Sequence, residues 1–339
     1  MKLRFHVGKR QNLFFFIDNL SEWSGYERVE YNSTWLKQGG PLSQREARAL
    51  KMYSSVAHFL KHDGVFKRFR EIFFRIPASK IREFSNERKI AKKTFTTLSH
   101  RFDKLWKQYQ PVLKSNRLIL ESLWSDFSPR IQSLLNGYAV LFQCTRRPEK
   151  LPQEVRCFLL MMPLDRYQGG KSIHRTVIAI EMECLNTDNT ERVQSALQLI
   201  LHELVHSLFE TAIFKQRILR VVQDSPITTL SLKRALTPEI VREALIGAIL
   251  RNHRTVRYFR KITESQWVEQ LRNRISARTN QAPQSKTRGG ELNALKNFVA
   301  LTLHQKTALL IDGRRPITDR YIRNVAEVCA QYLSQNFGS

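Results

Sequence analysis

The chain has little of what would place it in an oxidising compartment or in a bilayer. Only four cysteines occur, Cys144, Cys157, Cys184 and Cys329; none forms a C-x-x-C pair, and each sits among largely apolar neighbours. That argues against a disulfide framework and for reduced, buried thiols. No window reaches 18 apolar residues, so no membrane-spanning helix is expected. The opening MKLRFHVGKRQNLFFFIDNL sets basic residues before an apolar run, but Lys9 and Arg10 interrupt it and LFFFI is followed at once by polar Asp18. A secretory signal needs a longer apolar core, so the segment fits a strand or the start of a buried helix. The expected compartment is the cytoplasm, with a non-classical export route left open. Internal repeats are absent.

Acidic residues are scarce as well. Thirty Asp and Glu face 56 Lys and Arg, a formal net charge of +26. Such an excess suits a polyanionic partner, a nucleic acid or an anionic surface, or else a solubilising coat. Basic clusters lie at KRFREIFFR (67–75), SNERKIAKK (85–93) and RNHRTVRYFRK (251–261), with aromatics interleaved in the first and third. No zinc-finger spacing and no RNP-like strand accompanies them.

What is present is enough apolar sequence, 42% of 339 residues, to bury a sizeable core. Up to about residue 136 the apolar spacing is helical. Helices are predicted over 43–74, with Ser43 and Glu46 as a capping box, over 87–109, ended by Pro111, and over 118–135. The texture then changes. YAVLFQC (138–144), VRCFLLMMPL (155–164) and RTVIAIEMECL (175–185) read as strands, and Gln168-Gly169-Gly170 reads as a turn. A long helix is predicted from Glu191 and another from Pro238 to Asn252, capped by Thr237. Residues 276–291 read as a mobile loop, and helices over 292–309 and 319–333 close the chain.

The helix from Glu191 contains LILHELVHSLFE (199–210). His202 and His206, four apart, project from one helix face and can offer two imidazole nitrogens to one metal ion. Glu203 lies about 100° further round, where it can take a proton from a water at the metal without binding the metal itself. Buried histidines satisfied by core hydrogen bonds are the plainer alternative, but it would leave a buried carboxylate to be matched as well. A catalytic zinc takes three protein ligands and leaves one position open. The continuation SLFETAIF lacks the G-x-x-H that would supply a third histidine. The candidates are then glutamates: Glu243, mid-helix beside Ala244 and Leu245; Glu239, one turn earlier on the same face; and Glu210, four residues after His206. Glu243 is the first choice, with pairing to Arg242 or Arg251 as its plainer reading. His253 and Tyr258 are candidate oxyanion donors, and residues 175–183 are a candidate strand for pairing with substrate backbone.

HELVH with the downstream helix REALIGAI (242–249) resembles the gluzincin branch of the zincin metallopeptidases. The order of a helical amino-terminal half, short strands, a G-G turn, the H-E-x-x-H helix and a glutamate helix is similar to an uncharacterised bacterial family of zincin-like domains. The detailed resemblance covers residues 155–255. It implies a mostly helical α+β fold: a zincin-like core in which a small mixed sheet packs on the motif helix, preceded by a helical amino-terminal region, with domains at 1–136 and 137–339. It also implies zinc on His202, His206 and Glu243, Glu203 as general base and acid, and a peptide or protein substrate. The chain departs from the thermolysin-like pattern in the longer gap between His206 and Glu243 and in lacking N-E-x-x-S-D around Glu243. Two other readings stay beside the peptidase: a nucleic-acid-associated protein, and a zincin-like interaction protein without catalysis.

Overall fold

The structure, a computed structural model, describes residues 1–22, 29–62, 66–74, 85–143, 151–163, 169–185, 188, 190–225, 236–279 and 288–337. It is a mostly helical α+β protein with one small mixed sheet. No helix among the described residues is long and apolar enough to cross a membrane. The chain divides into two compact units, Met1–Asp126 with Pro152–Ser207, and Phe127–Leu151 with Leu208–Ser339. The strands therefore fold with the amino-terminal helices, whereas the sequence reading parts them near residue 136.

The first unit begins with β1 (Lys2–His6) and α1 (Lys9–Leu20). The sheet order is β1, β2 (Glu154–Met161), β4 (Val177–Met182), β3 (Gly169–His174). β1 runs parallel to β2 and β2 to β4, while β3 is an antiparallel edge strand. All six residues of β4 are buried because the strand is flanked on both sides and covered on both faces. One sheet face meets α1 and α2 (Val29–Gly39): the Tyr31 hydroxyl donates to Glu181 at 3.0 Å, and Lys171 lies 3.6 Å from Asp18 and over the Phe15 ring. Asn12 ties α1 to β2 as a strand neighbour would, donating to the Leu159 carbonyl at 3.0 Å and accepting from the Met161 amide at 2.6 Å. LFFFI is thus helical, and its three phenylalanines all find aromatic partners. Phe14 stacks on Phe73, Phe15 meets Tyr31 and Trp35, and Phe16 meets Trp35 and Phe102.

The capping box forms at the start of α3 (Gln44–His62): Glu46 accepts from the Ser43 amide at 2.8 Å, and Ser43 Oγ accepts from the Glu46 amide at 3.3 Å. α4 (Phe66–Glu71) runs into a 3₁₀ turn at Ile72–Phe74. Residues 63–65 of the predicted 43–74 helix lie outside the described residues.

Two predicted breaks are overruled. α5 (Ser85–Leu141) is one helix of 57 residues that passes through Pro111 without ending. Pro111 and Lys107, whose carbonyl loses its amide partner, are both exposed, so water can serve that carbonyl. Buried Leu105, Leu113, Asn116 and Leu120 hold the opposite face across the break. YAVLFQC is likewise helical as far as Leu141, with Cys144 outside the described residues. Its aromatic and β-branched content suggests a strand, but Leu134, Leu135, Tyr138, Leu141 and Phe142 continue the 3.6 period of α5 and are all buried. Gly169 and Gly170 open β3 rather than forming a turn; Gln168 lies outside the described residues.

After β4 comes α6 (Thr190–Phe209), the motif helix, on the sheet face opposite α1. The second unit is helical. Thr211 caps α7 (Ala212–Gln223), which the sequence reading does not separate from α6. α8 (Pro238–Arg251) starts as predicted, with the Thr237 hydroxyl accepting from the Ile240 amide at 3.3 Å. Its residues Ala244–Leu250 are all buried, because α7, α11 (Arg288–Thr302) and α13 (Asp319–Phe337) pack around it. Between them lie α9 (His253–Val256), the unpredicted α10 (Glu264–Thr279) and α12 (His304–Gly313). The predicted loop at 276–291 is therefore shorter than expected: 276–279 and 288–291 are helical, and 280–287 lie outside the described residues.

Arg101 of α5 anchors the connection between α2 and α3. It is 9% exposed and donates to the carbonyls of Gly39, Gly40 and Pro41 and to the Glu46 carboxylate. The guanidinium hydrogen bond, with the Ser43 bonds assisting, holds the Glu46 carboxyl down from an ordinary 4.5 to about 2. Removing the guanidinium leaves the part-buried Glu46 carboxylate with its Ser43 hydrogen bonds alone, so Arg101→Ala is expected to lower stability by about 1–3 kcal/mol at neutral pH. A depressed carboxyl pKa stabilises above the unfolded value and ceases to do so as pH falls through the folded one. The gap between wild type and Arg101→Ala in urea unfolding should therefore narrow as pH falls from 4.5 toward about 2.

Candidate metal centre

Ile200, Leu201, Leu204 and Val205 of α6 are buried, and the helix meets the sheet at Glu203 against Gly170 and at Ser207 against His174. This fixes the rotation of the helix and with it the direction of its polar residues. His206 is 8% and Glu203 6% exposed, and His202 is half-buried. The two imidazoles meet edge to face, with Nε2 of one 2.9 Å from Nε2 of the other. A tetrahedral zinc with N–Zn distances near 2.05 Å would hold two nitrogens roughly 3.3 Å apart. A small rotation of either ring reaches that separation, so the pair fits the ion the resemblance implies.

Glu203 sits against the edge strand. A Cβ built on Gly170 would fall 2.4 Å from Glu203 Cγ and 2.6 Å from its Oε1. The second glycine of the G-G pair is therefore a close-approach glycine: β3 can lie this near α6 only where it carries no side chain. On the same helix, Ser207 Oγ donates to the β3 carbonyl of His174 at 2.5 Å. Cys157 of β2 also faces Glu203. Burial raises its thiol pKa well above the ordinary 9.0 and the carboxylate adds to the rise, so the thiol stays neutral. α4 packs against β3 and brings Arg70 into the field of Asp18 and Glu203; burial lowers the guanidinium pKa and these anions oppose that. Neither Gly170 nor Arg70 figures in the sequence reading as a site residue. The G-G pair carried the signal for Gly170, and nothing local carried one for Arg70. The strand at 175–183, β4 with its flanks, cannot accept a substrate backbone, since β2 and β3 occupy both its edges. The strand next to Glu203 at the sheet edge is β3.

The three candidate glutamates now separate. Glu239 has its side chain 59% exposed and pairs with Arg242 at 3.5 Å. Glu210 is buried between two cations, Arg242 at 2.9 Å and Lys215 at 3.6 Å. Glu243 is 19% exposed; its Oε2 takes the Lys296 ammonium at 2.6 Å, and its Oε1 is 3.7 Å from Arg242. Glu243 thus makes the arginine pairing of its plainer reading. Lys296 is a partner that local sequence could not reveal, 53 residues away on α11. Of the two candidate oxyanion donors, His253 has another engagement. His253 Nε2 meets the Ile262 carbonyl at 2.9 Å beside Trp267. Tyr258 lies near Tyr138, whose phenol pKa burial raises.

In the basic clusters, Phe69, Phe73 and Phe74 of the first are buried, as is Phe259 of the third, and the described residues of 85–93 begin α5 with a largely solvated face. Comparison with protein-family models, curated proteins and solved structures finds no match for this chain.

The tight approach of β3 to Glu203 has a direct consequence. Gly170→Ala should overpack the interface and lower unfolding free energy by about 1–3 kcal/mol, measured by urea denaturation.

Proposed function

We propose that this protein is a zinc-dependent peptidase with a zincin-like core, in which His202, His206 and Glu243 bind the metal and Glu203 is the proton carrier. The observation that most supports this reading is the pair of Nε2 atoms 2.9 Å apart on a buried helix, with a carboxylate lodged beside them against an edge strand. Two neutral imidazoles and a carboxylate are a donor set zinc favours, and three such ligands leave a coordination position open. Zinc held there would supply Lewis acidity, lowering the pKa of water and polarising a carbonyl.

The chain's own residues do the rest. A water oxygen attacks the peptide carbonyl carbon while Glu203 takes its proton. The C–N bond then breaks, and Glu203 returns that proton to the departing amine. Burial of Glu203 keeps its carboxylate from spending hydrogen bonds on bulk water, and Gly170 leaves the room for it. A peptide entering this site would meet β3, the strand nearest Glu203. The second reading, a polyanion-binding protein, rests on the +26 charge; a gel shift that weakens steeply with salt would support it.

The peptidase reading is tested by zinc content and by turnover on a broad peptide library. Wild type should carry one zinc per chain. His202→Ala and His206→Ala should lose it, and Glu203→Gln should keep it while turnover falls at least about 10²-fold. Turnover unchanged in Glu203→Gln would overturn the mechanism. Stoichiometric zinc without any turnover would favour a non-catalytic interaction protein.

A further inference from the structure

α3 carries two large apolar side chains that the fold leaves in water. Phe59 is 58% and Met52 44% exposed. Arg45, Arg48, Met52, Val56 and Phe59 follow one another at intervals of three and four residues, so they line one face of the helix. The opposite face is seated, with Leu50, Tyr53, Ala57 and Leu60 all buried. The solvent face is a stripe of its own, cationic in its first half and apolar in its second. Lys51 is exposed beside it.

The charge around this stripe is of one sign. Glu46 is the one acid of α3, and its carboxylate is turned to Arg101 and Ser43. Arg45, Arg48 and Lys51 are exposed and pair with no acid among the described residues. The start of α5, in the same compact unit, adds to them. Thr94 Oγ1 donates to the Ala49 carbonyl at 3.1 Å and Arg101 to Glu46 at 2.9 Å, so α5 runs antiparallel to α3. The turns of α5 that bear exposed Lys89, Lys92 and Lys93 thus lie beside the half of α3 that bears Met52 and Phe59. Glu87, the one acid in 85–93, is half-buried.

We propose that this α3–α5 face docks on an anionic phospholipid bilayer, with Phe59 and Met52 entering the boundary between headgroups and acyl chains and the cations meeting the headgroup anions. Apolar side chains flanked by Lys and Arg are what an interfacial helix presents to such a surface. Lysines and arginines next to an anionic leaflet each add to the attraction. A nucleic-acid backbone would answer the cations but leave Met52 and Phe59 in water. The proposal deepens the polyanion reading given above by placing part of the +26 charge on one face, and it does not depend on zinc.

The test is flotation of the full chain with vesicles of equal parts phosphatidylserine and phosphatidylcholine, beside vesicles of phosphatidylcholine alone and a gel shift with duplex DNA. Wild type should float with the anionic vesicles and not with the neutral ones, and salt should weaken the binding. The pair Met52→Ser and Phe59→Ser should weaken it roughly 10-fold or more, while the melting temperature and any gel shift stay as in wild type. The triple change Arg45→Gln, Arg48→Gln and Lys51→Gln should weaken it at least about 10-fold. Leu118→Ser, which removes a side chain 61% exposed further along α5, should bind as wild type does. Wild-type vesicle affinity in both α3 variants, or an equal loss in Leu118→Ser, would overturn the proposal and leave the polyanion reading standing. If the charge variant weakens vesicles and DNA alike and the serine pair changes neither, the face binds polyanions without inserting, which also overturns it. No binding of wild type to the anionic vesicles overturns it outright; a salt-dependent gel shift would then keep the polyanion reading with nucleic acid as the partner, and the lack of one would remove both.

Discussion

A carboxylate withdrawn from water destabilises a fold by several kcal/mol unless charge or protic groups meet it, and α6 withdraws one at Glu203. The sheet accommodates this by letting β3 come up to the helix at a residue with no side chain, Gly170, and by bringing Arg70 into the carboxylate's field from α4. The leucines of α6 set the rotation of the helix. Once they are seated, His202 and His206 have to share one side, and their Nε2 atoms converge. The candidate centre is a consequence of that packing.

A similar logic runs through the helical unit. α8 is buried along most of its length, so a glutamate in its middle is affordable only beside a cation. Lys296 reaches Glu243 through the notch at Gly247, and Arg242 is shared among Glu210, Glu239 and Glu243. Both glycines that matter here, Gly170 and Gly247, act by making room for a polar side chain on a neighbouring helix. Neither has a positive φ, and backbone freedom plays no part in either role.

Several elements are legible in the sequence because their causes are local. The Ser43–Glu46 box, the Thr237-Pro238 helix start and the 3.6 period of the motif helix each depend on residues within one or two turns. The misreadings also have a common cause. Pro111, YAVLFQC and Gly169-Gly170 each carry a local signal for a break, a strand or a turn. Each is overruled by burial of a periodic face or by an approaching helix, which propensity does not register. Phe69, Phe73, Phe74 and Phe259 of the basic clusters are core residues, and spacing along the chain does not say which way a ring turns.

By itself the sequence determined that His202, Glu203 and His206 lie on one helix at metal-binding spacing, because a 3.6-residue period permits no other arrangement of those positions. It narrowed the third partner to three glutamates and went no further. Tertiary structure shows how each is engaged: Glu239 is exposed, Glu210 is enclosed by Arg242 and Lys215, and Glu243 meets Lys296 with one oxygen. It also decided that β3, and not the strand at 175–183, is the sheet edge beside Glu203. These outcomes turn on contacts between residues tens of positions apart, and such contacts are set by packing rather than by any local pattern.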